Sequence, residues 1–215
     1  MSYLRIFAVV LLLASGVSAS QADSLTLSVG GQVSEFEITR CRTDPYESGQ
    51  LVVEAEVTAV GTLVGQPAAL FLTKSHHNSQ AGTREFNDFH IYITELAPEL
   101  RTMPPSEALQ KIIGDFAMIE SQRQAEIMAD YTIEKLEGLP LDQAMAKGDE
   151  MSQRLSDLRT EMDVLRPPYA KSWGVATVEG SKIGFEGDDL SQTGGEPHEA
   201  LALPGPVSIR AECNP

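Results

Sequence analysis

LDQAMAKGDEMSQRLSDLRTEMDVL, residues 141–165, carries the strongest structural signal in this chain. Apolar or small residues recur in it at alternating spacings of three and four. Such a repeat forms one stripe along a helix and is typical of a coiled-coil seam. We therefore expect a helix of about 25 residues, roughly 37 Å long. The seam residues are Leu141, Ala144, Gly148, Met151, Leu155, Leu158, Met162 and Leu165.

A similar but interrupted pattern predicts another helix before this one. Its seam loses phase at residues 122–124 and resumes on a shifted stripe. Gly138 is suited to end this helix, and Pro140 is suited to begin the next. The seam residues are Leu109, Ile112, Phe116 and Ile119 before the shift, and Ile127 and Tyr131 after it.

Proline pairs bound the helical segment on both sides. Pro104-Pro105 precedes it and Pro167-Pro168 follows it, and proline disfavours helix in the residue before it. We interpret residues 104–168 as a helical hairpin inserted between two strands of a single β-rich domain, residues 23–215. The second helix is longer than a small sheet, so the tip is expected to project. Residues 106–166 contain 13 acidic and 7 basic residues, which predicts solvated outer faces.

The rest of the chain alternates polar and apolar residues with the period of two that is typical of strands. Turns with glycine at 30–31, 65–67 and 180–181 separate the runs, and Gly61 is expected to end one of them. A polar loop is predicted from residue 74 to residue 87. About eight short strands of this kind predict an antiparallel β-sandwich or half-open barrel, and with the hairpin an α+β fold.

The first 22 residues have the features of a secretory signal peptide. Arg5 precedes a short apolar run from Ile6 to Ala14, and small residues follow. This run is shorter than the roughly 20 apolar residues that span a bilayer. Cleavage after Ala22, or after Ala19, predicts a periplasmic or secreted protein. The sequence has no cysteine there for a lipid anchor, and no membrane insertion is expected.

The chain is strongly acidic. It has 16 Lys and Arg, 31 Asp and Glu, and a formal net charge of −15. Residues 1–22 contain one Arg and no acid, so their removal leaves 15 basic against 31 acidic residues. Such a charge argues against nucleic acid and anionic membrane surfaces as partners. It favours cationic partners or divalent cations.

The two cysteines, Cys41 and Cys213, lie near opposite ends of the predicted mature chain. An even count in an exported protein predicts a disulfide bond. Alternation in the last strand places Cys213 on the apolar face of that strand. The alternative is a pair of buried free thiols.

Four histidines are candidates for a metal site. Imidazole groups, with the carboxylates of Glu85 and Asp88 nearby in sequence, are suitable ligands for zinc or copper. The alternative is that they are polar loop residues that bind no ligand. One of them, His90, alternates with two isoleucines along its strand and is therefore expected to face solvent. The histidines are His76, His77, His90 (which alternates with Ile91 and Ile93) and His198.

The sequence contains no standard catalytic motif. Gly180-Ser181-Lys182-Ile183-Gly184 lacks the spacing of a nucleophile elbow and is predicted to be a hairpin turn. Glycine motifs that bind phosphate or dinucleotides are not found either. The carboxylates of residues 186–196 are of a type that binds calcium, but adjacent Asp188 and Asp189 do not fill alternate ligand positions, which favours a solvated loop. We expect no enzymatic activity and no cofactor.

Methionine is concentrated in the predicted hairpin. Methionine adapts to irregular partners, so it is frequent at binding surfaces, but it also packs helices together. Met118 and Met128 lie off the first seam and are candidate binding residues, together with Tyr131 on the shifted stripe. Five of the six methionines after the signal peptide lie in the hairpin: Met118, Met128, Met145, Met151 and Met162.

Three segments of the β-rich part resemble a known family. They are the strand pair that ends at Cys41, the run WGVATVEGSKIGF that begins at Trp173, and the run PVSIRAEC that ends at Cys213. These segments are similar to the mycobacterial nineteen-kilodalton lipoprotein antigen family. The resemblance implies a small exported β domain with one disulfide bond and no catalytic residues. This chain departs from the family in lacking the lipid-anchor cysteine and in containing the hairpin.

The sequence therefore favours a non-catalytic exported binding or adaptor protein, a monomer or a weak homodimer, that contacts an unidentified protein through the hairpin. One alternative is a divalent-metal-binding protein that uses the histidines. Another is a hydrolase whose site has no recognisable motif.

Overall fold

The computed structural model describes residues 24–48, 50–79 and 82–213, except for the side chains of residues 133 and 134. The predicted signal peptide lies outside the described residues. Within them, the strands are β1 (Ser24–Val29), β2 (Gln32–Arg42), β3 (Tyr46–Ser48), β4 (Leu51–Leu63), β5 (Gln66–Ser79), β6 (Gly82–Tyr92), β7 (Tyr169–Ser172), β8 (Gly174–Glu179), β9 (Lys182–Asp189), β10 (Ser191–Gly194) and β11 (Pro206–Glu212). The helices are α1 (Pro98–Arg101), α2 (Pro105–Ala129), α3 (Ile133–Leu136) and α4 (Leu141–Leu165).

These eleven strands join one antiparallel sheet. Its order is β10-β7-β6-β5-β4-β2-β1-β11-β9-β8, and β3 pairs with β4. The tight turn from β1 to β2 uses Gly30 and Gly31, whose φ angles of 57° and 86° lie in the left-handed region that favours glycine. The first strand pairs with the last, with Leu27 opposite Ile209. The α+β class with an antiparallel sheet is therefore confirmed.

The main hydrophobic core lies on the inner face of the sheet. Every described strand except β3 and β10 contributes buried residues to it. Phe89 of β6 stacks on Phe185 of β9, with ring centroids 5.3 Å apart, although six steps separate these strands in the sheet. The side chain of Asn87 on β6 likewise accepts a hydrogen bond from the backbone N–H of Ala176 on β8 at 3.2 Å. The sheet therefore curves until strands from its two ends meet around one core.

A smaller cluster lies on the outer face of the central strands. Phe71 of β5 and Tyr92 of β6 pack there with Leu100 of α1 and Ala108 of α2. All four described helices lie in the connection between β6 and β7, which are neighbours in the sheet. The helical segment is therefore an insertion between adjacent strands that folds its first part onto the outer face.

Cys41 on β2 and Cys213, which follows β11, form a disulfide bond with a Cα–Cα distance of 5.5 Å. This pairing confirms the prediction. The bond joins residues 172 positions apart and lies against the main core. In the loop-entropy description, closing a loop of this length stabilises the folded state by about 5 kcal/mol.

The strands are longer and more numerous than predicted. The polar loop expected at 74–87 is wrong, because β5 continues to Ser79 and β6 already starts at Gly82. Pairing satisfies the backbone polar groups there even though the side chains are polar. Gly61 does not end its run but lies inside β4, where a Cβ would come within 2.9 Å of the Phe36 ring. The missing side chain makes room for that ring.

Candidate functional site

The long helices α2 and α4 lie side by side in opposite directions. Arg123 of α2 forms a salt bridge with Glu161 of α4, and Asp130, which follows α2, forms one with Arg154 of α4 at 3.0 Å. Asp130, which is later in the chain than Arg123, thus pairs with the earlier of the two α4 residues, as in antiparallel neighbours. We call residues 105–165 the helical arm. Among the described helices, none is both long enough and apolar enough to span a membrane.

The burial of α4 follows the predicted stripe. Six residues of α4 are not exposed, and all six are among the eight predicted seam residues. Leu158 and Met162 are the two that are buried. Leu141, at the start of the stripe, is instead 78% exposed. Because Asp130 already pairs with Arg154, no residue of α2 lies opposite Leu141. The six are Ala144, Gly148, Met151, Leu155, Leu158 and Met162.

The first long helix is shorter than predicted. It ends at Ala129, and the short helix α3 follows, whereas Gly138 was expected to end it. The Lys135 ammonium donates a hydrogen bond to the Ala129 carbonyl at 2.9 Å, and the backbone N–H of Lys135 donates to the Thr132 carbonyl at 2.9 Å. Gly138 lies in the following turn with a φ of 85°. Local hydrogen bonds therefore break the helix before the glycine is reached.

The far end of the helical arm exposes apolar side chains. Leu139, Leu141 and Met145 are 36%, 78% and 64% exposed. Leu141 and Met145 lie four residues apart on α4 and therefore share one face of it. We call these three residues the tip patch. Leu139 lies in the turn before α4, and the other two lie where α4 extends past the end of α2.

The three predicted binding residues occupy two kinds of environment. Met118 and Met128 on α2 are 56% and 58% exposed. Tyr131 is half-buried, and its ring lies within cation–π distance of Lys147 and Arg154, at 5.8 Å and 5.7 Å. Tyr131 thus attaches the turn after α2 to α4, while the two methionines face solvent. Binding by these residues stays a prediction.

His76 lies on β5 and not in a loop. Its Nδ1 is 2.7 Å from Oε1 of Glu54, and the other carboxylate oxygen of Glu54 is 2.9 Å from Nζ of Lys74. Glu54 occupies a β-bulge of β4, where the register shifts between Val53 and Ala55. The hydrogen bonds from Lys74 and then His76 lower the pKa of the Glu54 carboxyl group. Both oxygens of the Glu54 carboxylate are therefore paired with side chains of β5.

The structure does not bring the four predicted histidines together. His77 follows His76 on β5 and therefore points to the opposite face of the sheet. His198 caps a 3₁₀ turn, Glu199–Leu201, by accepting a hydrogen bond at Nδ1 from the Ala200 N–H at 3.2 Å. In the ranges that the structure describes, no group of three or more His, Cys, Asp or Glu side chains is placed to hold a metal ion.

The prediction that His90 faces solvent is wrong, since the side chain is only 9% exposed. It lies beside Tyr92 on the face that the helical segment covers, and the two rings stack at 6.5 Å. Burial, and secondly the charge of Lys171, lower the pKa of His90 to about 4. Its buried Nδ1 has no hydrogen-bond partner among the described residues. The alternation of strand residues predicts the two faces of β6 but not what covers each face.

The segment 186–196, which was predicted to be a solvated acidic loop, is largely part of the sheet. β9 extends through Asp189, and β10 follows at once. The Asp188 N–H donates to the Trp173 carbonyl at 2.9 Å, and the Asp188 carbonyl accepts from the Ser172 hydroxyl at 2.6 Å. The backbone of Asp188 therefore hydrogen-bonds the chain where β7 passes into β8 and holds β9 beside it.

The residues beneath the arm were missed by the sequence analysis. Tyr92 and Tyr169 stack with centroids 4.9 Å apart, and Arg166 lies near them at the end of α4. Tyr92 is the last residue of β6 and Tyr169 the first of β7, so their only sequence signal is their position just outside the helical segment. Their contact depends on the pairing of β6 with β7, which spacing alone does not reveal.

No protein-family model matches this chain, and no curated protein or solved structure matches it either.

Proposed function

We propose that this protein is a non-catalytic exported binding protein that contacts another protein through its helical arm. The observation that carries the proposal is the tip patch, where Leu141 and Met145 are 78% and 64% exposed. Apolar side chains that protrude from a charged surface are typical of protein interaction sites. Covering them on binding contributes about 25 cal/mol for each Å² of apolar surface removed from water.

The charge of the arm defines the partner that fits it. Residues 106–166 contain 13 acidic and 7 basic residues, and Glu137 and Asp142 beside the tip patch are exposed. A partner with an apolar recess and a basic rim complements this surface. The same charge disfavours an anionic membrane or a nucleic acid at this position.

We infer a rigid scaffold beneath the arm. The stacking of Phe89 on Phe185 supports a half-barrel as the description of the curved sheet. The continuous stripe of buried and half-buried residues on α4 supports an antiparallel coiled coil. The Cys41–Cys213 bond supports export, since such bonds persist in oxidising compartments.

A photo-crosslinking comparison tests the proposal. One variant carries the photoreactive amino acid at Met145 in the tip patch, and a matched variant carries it at Ser156, which is exposed further along α4. Both are expressed in the native cell, and cross-linked products are identified by mass spectrometry. We expect a discrete product with another protein from position 145 only. A further variant, Leu141→Ser with the photoreactive group retained at 145, should lose that product.

The proposal fails if positions 145 and 156 give the same products, or if Leu141→Ser leaves the product from 145 unchanged. Circular dichroism of each variant distinguishes loss of contact from loss of the arm. Since Leu141 is exposed, its replacement should leave the helical signal intact.

A further inference from the structure

A cavity lies between the outer face of the sheet and the base of the helical arm. Its volume is about 110 Å³. The stacked rings of Tyr92 and Tyr169 line it from the sheet, and Tyr169 is held close to Gly194, where a Cβ would clash with its ring. Side chains of α2 line it from the arm. The lining residues are Tyr92, Ile112, Ile113, Phe116, Arg166 and Tyr169.

The hydroxyl of Tyr92 has no protein partner at this cavity. Tyr92 is 2% exposed, and its hydroxyl makes no hydrogen bond within the described part of the chain. The oxygen keeps some accessible surface, since it is not among the enclosed polar atoms without a partner in the described residues. Burial, and secondly Tyr169, raise the pKa of Tyr92 to about 12, so the group is a donor at neutral pH. It can therefore donate a hydrogen bond to an acceptor that enters the cavity.

Two cations near the cavity also lack partners. Arg166 lines the cavity, and its position is set by its backbone N–H, which donates to the Met162 carbonyl at 3.0 Å. Lys171 of β7 lies opposite His90 of β6 in the sheet. Within the described residues, neither side chain forms a salt bridge or a hydrogen bond. In a chain with 31 acidic residues, Arg166 is therefore a cation at the cavity that is available to an anion.

We propose that this cavity binds a short-chain apolar carboxylate. Arg166 pairs with the carboxylate, and the Tyr92 hydroxyl donates to one of its oxygens. Arginine suits this role because its planar guanidinium matches a carboxylate with two parallel hydrogen bonds. The hydrocarbon part lies among Ile112, Phe116 and Tyr169. This site is independent of the tip patch at the other end of the arm.

The size of the cavity limits the ligand. A cavity of about 110 Å³ is small, since sites for drug-sized ligands are typically about 300–1,000 Å³. Propionate, with a carboxylate and a two-carbon chain, is therefore a suitable probe. A ligand this small binds weakly, and we expect a dissociation constant of roughly millimolar order.

An NMR titration of the isotope-labelled protein, with the disulfide bond intact, tests the site. Sodium propionate is added at constant pH, with sodium chloride adjusted to keep the ionic strength constant. We expect saturable chemical-shift changes at the backbone amides of Tyr92, Ile112 and Tyr169. Propionamide, which has the same shape without the charge, should give no saturable change.

Variants identify the groups responsible. Arg166→Gln should weaken propionate binding by about tenfold or more, because it removes a charge-assisted pair of hydrogen bonds. Tyr92→Phe should weaken it several-fold. The matched control is Arg159→Gln, since Arg159 is an exposed arginine of α4 away from the cavity, and it should bind as the wild type does. The thermal midpoint of each variant, measured without ligand, separates lost binding from lost folding.

The inference is overturned by any of three results in folded protein. These are shifts that stay linear in propionate throughout, equal binding of propionamide, and unchanged affinity in Arg166→Gln. Leu141→Ser in the tip patch should leave propionate binding unchanged. The titration therefore tests this cavity independently of the proposed protein contact at the helical arm.

Discussion

Glu56 and Arg40 form a salt bridge across β2 and β4, with Oε1 of Glu56 2.9 Å from Nη2 of Arg40. The Glu56 side chain is only 1% exposed. Its second oxygen accepts a hydrogen bond from the Tyr46 hydroxyl at 2.7 Å, and Arg40 also donates to the Thr102 carbonyl at 3.1 Å. The pair thus links the outer face of the sheet to the loop that leads into the helical arm.

Removing Arg40 should destabilise the protein strongly. Arg40→Ala leaves the buried charge of Glu56 without its cation, a change that costs about 3–5 kcal/mol. Urea denaturation followed by circular dichroism measures the loss. The matched control, Arg159→Ala, removes an exposed arginine and should shift the midpoint little. A double variant, Arg40→Ala with Glu56→Ala, should lose less than the sum of the two single losses, and strict additivity would contradict the coupling.

The two ends of α4 should respond differently to the same substitution. Met162 is 2% exposed and Met145 is 64% exposed. Met162→Ala leaves a cavity and should cost about 2–5 kcal/mol of unfolding free energy. Met145→Ala should stay within about 0.5 kcal/mol of the wild type. Chemical denaturation of both variants provides the comparison, and similar losses at the two positions would refute this description of the arm.

His90 should make stability fall at acidic pH. Burial lowers its pKa to about 4, below the ordinary value of 6.5, so the unfolded chain takes up the proton more readily than the folded one. The stability that depends on His90 being neutral is fully present above about pH 6.5 and is lost as the pH falls toward about 4. This loss amounts to about 3 kcal/mol of unfolding free energy. The measurement compares the unfolding free energy at about pH 7.5 and about pH 4.5 for the wild type and His90→Phe.

The wild type should lose about 2–3 kcal/mol more than His90→Phe between these conditions. The comparison cancels carboxylate titrations, which both proteins share. An equal loss in the two proteins would show that His90 does not contribute.

Two glycines should respond with opposite signs to the same change. A Cβ at Gly174 would clash with the Glu186 carbonyl and lie 2.5 Å from the Gly187 Cα, so Gly174→Ala should force β8 away from β9 and destabilise the protein. Gly114 lies inside α2 with nothing within 4 Å of an added Cβ. Gly114→Ala should therefore stabilise by about 0.5–1 kcal/mol, since alanine favours helix. Thermal unfolding of both variants checks the two signs.

Local patterns were sufficient for much of the secondary structure. The spacing of apolar residues in α4 predicted its length and its buried stripe, because both follow from the period of the helix. The turn at Gly30-Gly31 was also predictable, since it depends on backbone conformations that glycine adopts easily. The run from residue 74 to residue 87 was not predictable as strand, because its hydrogen bonds come from distant partners and its side chains are polar.

The sequence by itself determined the period of each element, the acidic charge, and a disulfide pair, because these depend on neighbouring residues and on composition. Only the tertiary structure decided that His90 is buried, that Tyr92 meets Tyr169, and that Arg166 lines the same cavity as both tyrosines. Those relations arise from pairing β6 with β7 across an insertion of more than seventy residues and from folding α2 back onto the sheet. A strand pattern specifies two faces, but the packing of distant elements decides which groups each face meets.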